Sequence, residues 1–281
     1  MPKVSVIVPV YNASAYIERA LDSALSQDCQ NLEVIIVNDG STDDLQNVIE
    51  RYLGDKRVKY LATEQRGVSH AINVGLKEAT GDYVCFLHAD DKFLPGKIRK
   101  QLSLMDRFPG YGVSYTDESY FLEGAKTLVK SPYFHFSKDI FYFLKRSNFI
   151  HMSTAMLKSE VLKSETLDEG LKCHEEWDLF LRLSRKGVKF LYLDEILSSI
   201  SLHRKNLSAD TDVMAKTRTI VGRRARALWK GFKKSINLYS IRGILNLKRY
   251  IAFKTYAVML GFPNHKKFNP KSPGEILREV R

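Results

Sequence analysis

This 281-residue sequence has few cysteines, no long hydrophobic run, and neither of the glycine-rich loops that commonly cradle a phosphate. Its three cysteines, Cys29, Cys85 and Cys173, are odd in number, widely spaced and without a CxxC pair, which excludes a disulfide framework or a zinc ribbon. They predict buried thiols in a reducing, cytoplasmic compartment. No stretch approaches the roughly 18 apolar residues that a membrane-spanning helix needs. The opening "MPKVSVIVPVYN" has a short apolar run broken by proline, which reads as a first strand rather than a secretion signal. Internal repeats and low-complexity tracts are absent as well. No zinc, helix-turn-helix or RNA-binding signature accompanies the basic charge, so nucleic acid is not an expected partner.

What is present is a core-forming composition, 44% hydrophobic, and a charge that is unevenly placed. Residues 201–281 hold 19 Lys or Arg against 4 Asp or Glu, whereas the first 200 hold 25 against 28. The positive field therefore belongs to the tail, where it would attract phosphates or anionic lipid heads.

The first hundred residues alternate strand and helix signals. "VSVIVPV" (4–10), "LEVIIVND" (32–39) and "VKYLAT" (58–63) read as strands. Between them, Asn12 or Ser14 caps a helix with Ile17, Ala20, Leu21, Ala24 and Leu25 on one face, and "STDDLQNVIERYL" opens with a Ser/Thr cap and acidic first turn. "GVSHAINVGLKEATG" reads as a helix closed by Gly81, and "YVCFLHADD" (83–91) as a buried strand ending in two adjacent aspartates. Pro95 starts a helix running to about Phe108. This order predicts a largely parallel sheet with helices on both faces. In such sheets ligands bind beyond the carboxyl ends of the strands, where "PVYN", "NDGSTDD" and "HADD" stand. From 111 to 205 the pattern is mixed: a strand "GVSYTD", an aromatic tract at 133–150, a helix "EEWDLFLRLSRKG" and a strand "VKFLYL". Helices are predicted at 213–232 and about 238–260.

The residues after the first strand are "PVYNASAY", so no GxGxxG dinucleotide loop exists, and GxxxxGK[ST] is missing too. A phosphorylated ligand on this sheet would need another counter-charge, such as a divalent metal on hard oxygen ligands.

"VSVIVPVYNASAYIERALDSALSQ", "EVIIVNDGSTDD", "EQRGVSHAINVGLKEATGDYVCFLHADD" and "HEEWDLFLRLSRKG" together resemble, in order and spacing, the motifs of family 2 glycosyltransferases. The resemblance covers about residues 1–205. It implies an α/β fold of the GT-A (Rossmann-like) type, a mostly parallel sheet flanked by helices, forming a catalytic domain at 1–205. A basic helical C-terminal extension occupies 206–281. It also implies an inverting transfer from a nucleoside diphosphate sugar to a saccharide or lipid-linked acceptor, in bacterial cell-surface polysaccharide or glycolipid assembly. By that resemblance Pro9, Tyr11, Asn12 and Asp39 hold base and ribose, and Glu64, Gly67 and Asn73 continue the nucleotide pocket. Ile72 stands where the family pattern has arginine. "HADD" matches the metal motif: Asp90 is the implied ligand for Mn²⁺ or Mg²⁺, Asp91 supports it, and His88 replaces the motif's first aspartate. The family's catalytic base falls in the Glu175–Glu176 pair, with Glu176 as the base and Asp178 its rival. "SLHRKNLS" resembles a loop closing over the donor, with His203 and Arg204 near the diphosphate.

Other residues read more simply. Trp177, Phe180, Leu181 and Leu183 suit core packing, and His70, His135 and His151 lack ligand spacing and suit structural roles. The tail reads equally as a solvated basic surface or as an interfacial amphipathic helix drawn to anionic membrane, placing the protein peripherally on the inner face. Two further readings stand beside the enzyme: a non-catalytic nucleotide-sugar-binding scaffold, and a basic nucleic-acid-binding protein.

Overall fold

The computed structural model describes residues 2–122, 127–130, 140–203, 206 and 210–229. Arg204, residues 131–139 of the aromatic tract and the helix expected over 238–260 lie outside them.

The elements begin with β1 (Val4–Val10), α1 (Ile17–Leu25), β2 (Leu32–Asn38), α2 (Leu45–Glu50), β3 (Val58–Ala62), α3 (Val68–Glu78) and β4 (Tyr83–Phe86). Then come β5 (Lys92–Phe93), α4 (Lys97–Arg107), β6 (Val113–Leu122), β7 (Thr127–Lys130), α5 (Ile140–Leu144) and a short 3₁₀ turn (Met152–Thr154). The chain continues with β8 (Met156–Lys158), α6 (Ser159–Leu162), α7 (Glu175–Arg185), β9 (Phe190–Leu202) and α8 (Thr211–Trp229). Strand order is β3-β2-β1-β4-β8-β6-β9-β5, with β7 on β6. The first four strands are parallel. Beyond β4 the sheet is mixed: β8 runs antiparallel to both β4 and β6, while β6 and β9 run parallel with a register shift around Asp117.

β1 is buried along its whole length because both its faces are covered, as parallel strands require. Its alternation sorts the core. Val4, Val6, Val8 and Val10 pack with Ile17, Leu21, Leu45, Ile49 and Ile98 of α1, α2 and α4. Ile7 faces the other way, into a cluster with Ile72 of α3 and Trp177, Phe180 and Leu181 of α7. On that second face α3 comes so close to β1 that a Cβ on Gly75 would lie 2.5 Å from Ile7 Cγ2. Val221 and Ala225 of α8 are fully buried in the same cluster, so the start of the basic extension is packed into the body.

α1 starts at Ile17 after Tyr16, without a side-chain cap. Neither Asn12 nor Ser14, the two expected caps, caps it; Asn12 turns to the neighbouring loop, where its Oδ1 accepts from the N–H groups of Thr42 (2.8 Å) and Asp43 (3.3 Å). That reach across two strand ends holds Asn12 at φ 48, in the left-handed region.

Candidate active site

The loops leaving the parallel strands build the site. After β2, Asp39 is 3% exposed, and its carboxylate accepts the backbone N–H groups of Arg66 (2.9 Å) and Gly67 (2.7 Å). One buried carboxylate thus ties the β2 end to the loop entering α3. Gly67 has φ 101, which a side chain would strain. Pro9 is buried in β1 opposite Val37, while Tyr11, just past the strand, is 44% exposed. Glu64 is exposed beyond β3. Pro9, Tyr11, Asn12, Asp39, Glu64 and Gly67 therefore line neighbouring strand ends. Asn73 lies further along α3 and is occupied otherwise: its amide donates to Leu167 O at 2.9 Å and accepts from Leu167 N at 2.8 Å.

β4 ends at Phe86, short of the strand expected over 83–91, and in the loop between it and β5 Asp91 is 2% exposed. Ser153 Oγ donates to its Oδ2 at 2.6 Å, and Ser201 N donates to its Oδ1 at 3.1 Å. Burial, then the charge of Asp90, pushes the Asp91 carboxyl up to about 7. His88 Nδ1 and His151 Nδ1 stand 4.0 and 3.8 Å from Asp91 Oδ2. These separations are too long for hydrogen bonds. They match ligand atoms that share an ion at about 2.1–2.3 Å each. One ligand atom from each of His88, Asp91 and His151 lies within 4.8 Å of the others. His88 Nε2 is buried with no hydrogen-bond partner among the described residues. The donor chemistry of the three therefore fits a divalent metal. Burial holds both rings neutral, lowering His88 and taking His151 to about 4.

Asp90 turns to the opposite side of the same loop. Its Oδ2 accepts from Asn206 Nδ2 at 2.8 Å and lies 3.2 Å from His203 Nε2. His203 stacks on Tyr16 with ring centroids 4.4 Å apart and planes 3° from parallel. The segment after β9 thereby reaches over the strand ends, where the sequence resemblance places a donor-closing loop.

The acidic start of α7 comes directly after His174, the second non-glycine residue with positive φ (64°) among those described. Such strain concentrates where a fold must aim a side chain. Glu175 is 4% exposed, and Glu176 is half-buried. Burial raises both carboxyls well above the usual range, and Glu176's charge raises Glu175 further. Asn148 Nδ2 donates to Glu176 Oε1 at 2.5 Å. Asp178, the rival base, is held in ion pairs: Oδ2 by Arg182 Nε at 2.8 Å and Oδ1 by Arg224 Nη1 at 3.0 Å.

His151, Ser153 and Asn148 reach this site, although His151 reads as structural in the sequence and nothing there singles out the other two. The only local signal is that polar residues interrupt an apolar stretch in "NFIHMSTAML".

A model of glycosyl transferase family 2 matches residues 5–165, more than half the chain. The protein belongs to that family. The amylovoran biosynthesis glycosyltransferase AmsB of Erwinia amylovora is 35% identical over 205 residues, covering 69% of this chain and 68% of AmsB. A glycosyltransferase of Haemophilus influenzae is 30% identical, covering 95% of this chain and 99% of that one. Among solved structures, S. aureus TarS 1–349 with UDP-GlcNAc superposes with a TM-score of 0.63 at 21% identity, covering 94% of this chain and 77% of TarS 1–349. The mannosyltransferase PcManGT of Pyrobaculum calidifontis, in complex with GDP-Man and Mn²⁺, gives 0.60 at 18% identity, covering 93% and 84%. These superpositions bear out the GT-A architecture expected of this glycosyltransferase. Among the described residues, no helix is long and apolar enough to cross a membrane.

Proposed function

We propose that this glycosyltransferase moves a sugar, with inversion, from a nucleoside diphosphate donor to a saccharide or lipid-linked acceptor of the bacterial cell surface, at the inner face of the membrane. The observation that carries this reading is Glu176: a half-buried carboxylate with raised proton affinity at the start of α7, gripped on one oxygen by Asn148. A general base works best when its pKa lies near the operating pH. In a single displacement Glu176 takes the proton of the acceptor hydroxyl as that oxygen attacks the anomeric carbon, and the bond to the diphosphate breaks. Pro9, Tyr11, Asn12, Asp39, Glu64 and Gly67 stand where the nucleoside would lie, with Asn73 bracing the α3 side of that pocket. His203 and Arg204 belong to the segment that would close over the diphosphate.

Asp90, the ligand implied by the sequence resemblance, faces His203 and Asn206; His88, Asp91 and His151 would instead hold a divalent metal, Mn²⁺ or Mg²⁺. When bound it would neutralise charge building on the departing diphosphate. Support for a nucleotide-sugar donor comes from the TarS complex with UDP-GlcNAc and the mannosyltransferase complex with GDP-Man. AmsB, named for amylovoran biosynthesis, supports a polysaccharide setting.

The test is a thermal-stabilisation panel of UDP- and GDP-sugars with and without Mn²⁺, since a ligand that binds only the native state raises the melting temperature. Glu176→Gln is then measured with the selected donor. That variant keeps the donor-induced shift and loses at least about 100-fold in turnover. A fully active Glu176→Gln with a dead Asp178→Asn would move the base to Asp178.

A further inference from the structure

Asn148 belongs to no element of the fold, yet it grips the carboxylate at the head of α7. Its Nδ2 donates to Glu176 Oε1 at 2.5 Å, while its Oδ1 accepts from Ile150 N at 3.3 Å. The second bond fixes which end of the amide faces the carboxylate, because only the nitrogen end can donate. The segment carrying Asn148 is itself clamped to α7: Trp177 Nε1 donates to Leu144 O, the last residue of α5, at 2.6 Å. Phe149 and Ile150 are buried directly after it.

We infer that Asn148 is a positioning residue for the transfer reaction: it pins Oε1 of Glu176, so that Oε2 is the oxygen offered to the acceptor hydroxyl. The inference rests on the reading of Glu176 as the base. A glutamate has three side-chain torsions, and a half-buried carboxylate without an orienting donor would rotate among several directions. One strong donor on one oxygen removes that freedom and leaves the other oxygen in a single direction. A donor to the charged form also lowers proton affinity. Burial raises Glu176, while the backbone N–H groups of Glu176 and Trp177 and the Asn148 amide oppose it; Asn148 is the side-chain donor among them and helps keep the base ionised further into the acid range. Among the described residues, the titratable groups interacting with this carboxylate are Glu175 on the same helix and the Cys173 thiol before it, whose proton affinity both glutamates raise.

Asn148 also stands three residues before His151, and three residues of chain span at most about 11 Å. The same short segment therefore delivers the amide to Glu176 on one side and the imidazole to Asp91 on the other.

The test observes Glu176 directly. Protein labelled with ¹³C at the glutamate carboxyls is titrated by NMR, and the Glu176 signal is assigned by its loss in Glu176→Gln. Asn148→Ala raises the Glu176 midpoint by about one to two pH units, the equivalent of one hydrogen bond to a charged group. Asn148→Asp, nearly the same shape and still able to accept from Ile150 N, raises it further by adding a like charge. With UDP-GlcNAc, or whichever UDP- or GDP-sugar the panel selects, turnover falls at least tenfold in both variants while the donor-induced thermal shift is kept. The acid limb of the rate profile moves to higher pH by the same amount as the titration. An unmoved Glu176 midpoint in both variants overturns the positioning role even if they lose activity. An active Glu176→Gln overturns the base assignment instead, and the two failures are read from different variants.

Discussion

At the scale of single residues, the site turns on how its acids are occupied. Asp90 and Asp91 are neighbours in sequence, yet Asp91 is buried among Ser153, Ser201 and two imidazoles, while Asp90 faces His203 and Asn206. Splitting the pair between two surroundings relieves the repulsion of adjacent charges at a strand end. If His88 and His151 bind the proposed metal beside Asp91, that donor set would favour Mn²⁺ over Mg²⁺, which prefers oxygen alone. Mn²⁺ with UDP should therefore raise the melting temperature more than Mg²⁺ with UDP. His88→Ala and His151→Ala should each lose most of that difference by differential scanning fluorimetry. An unaltered Mn²⁺ effect in His151→Ala would place the metal on Asp90's side of the loop alone. Asp39, Asp90, Asp91 and Glu176 were legible in the sequence because each stands where a strand ends or a helix begins. Asn148, His151 and Ser153 were not, since only tertiary packing brings their segment to the site.

Elements explain the next layer. The βαβ half of the fold could be read from its spacing, because its central strands β1 and β2 are mostly apolar runs buried on both faces, and its helices α1 and α3 each bury one face. The second half could not: β9 extends over Phe190–Leu202, far past the "VKFLYL" signal, because its partner β6 comes from a distant part of the chain and pairs across a register shift. Two element contacts give direct tests. Gly75 lets α3 approach β1, and Gly75→Ala should destabilise by about 1–3 kcal/mol through overpacking against Ile7, measured by urea unfolding. Donor binding should persist in the fraction that stays folded. Lys97 of α4 is fully buried, donates to Gln101 Oε1 and to Thr154 O (3.3 Å), and sits 4.6 Å over the Phe93 ring. Burial lowers its amine from 10.5 to about 8. Below about 8 both folded and unfolded chains carry the charge, and the full cost of burying it is present. Between about 8 and 10.5 only the unfolded chain holds the proton, so raising the pH through that window favours folding. The stability of wild type relative to Lys97→Met should accordingly rise from about pH 8 towards 10.5. Parallel curves would mean that the ammonium is not the source of the cost.

On the scale of the whole molecule, the extension is two things joined end to end. α8 is bound to the body: Arg224 bridges Asp168 at 2.6 Å and Asp178 at 3.0 Å, and Val221 and Ala225 are buried beneath it. Residues 230–281 lie outside the described residues and carry 12 Lys or Arg against 2 Asp or Glu. A cut testing the basic tail therefore belongs after Trp229, since an earlier one would open the core. Each basic residue near an anionic surface contributes about 1 kcal/mol at low salt. The protein ending at Trp229 should bind phosphatidylserine vesicles far less than the full chain in sedimentation assays, with its melting temperature and donor shift kept. Equal binding by both would assign the charge to a solvated surface.

The contacts of Asp91 and Asp90 also order events during synthesis. The parallel strands β1 to β4 are complete once residue 86 has emerged. Among the described residues, the hydrogen-bond partners of the Asp91 carboxylate are Ser153 and Ser201, and those of Asp90 are His203 and Asn206. A nascent chain stalled before residue 200 would thus carry β1 to β4 without the acid loop held in place. With the acid loop serving the proposed site, sugar transfer would wait for a chain that is nearly finished, and a ribosome-bound fragment would not spend donor.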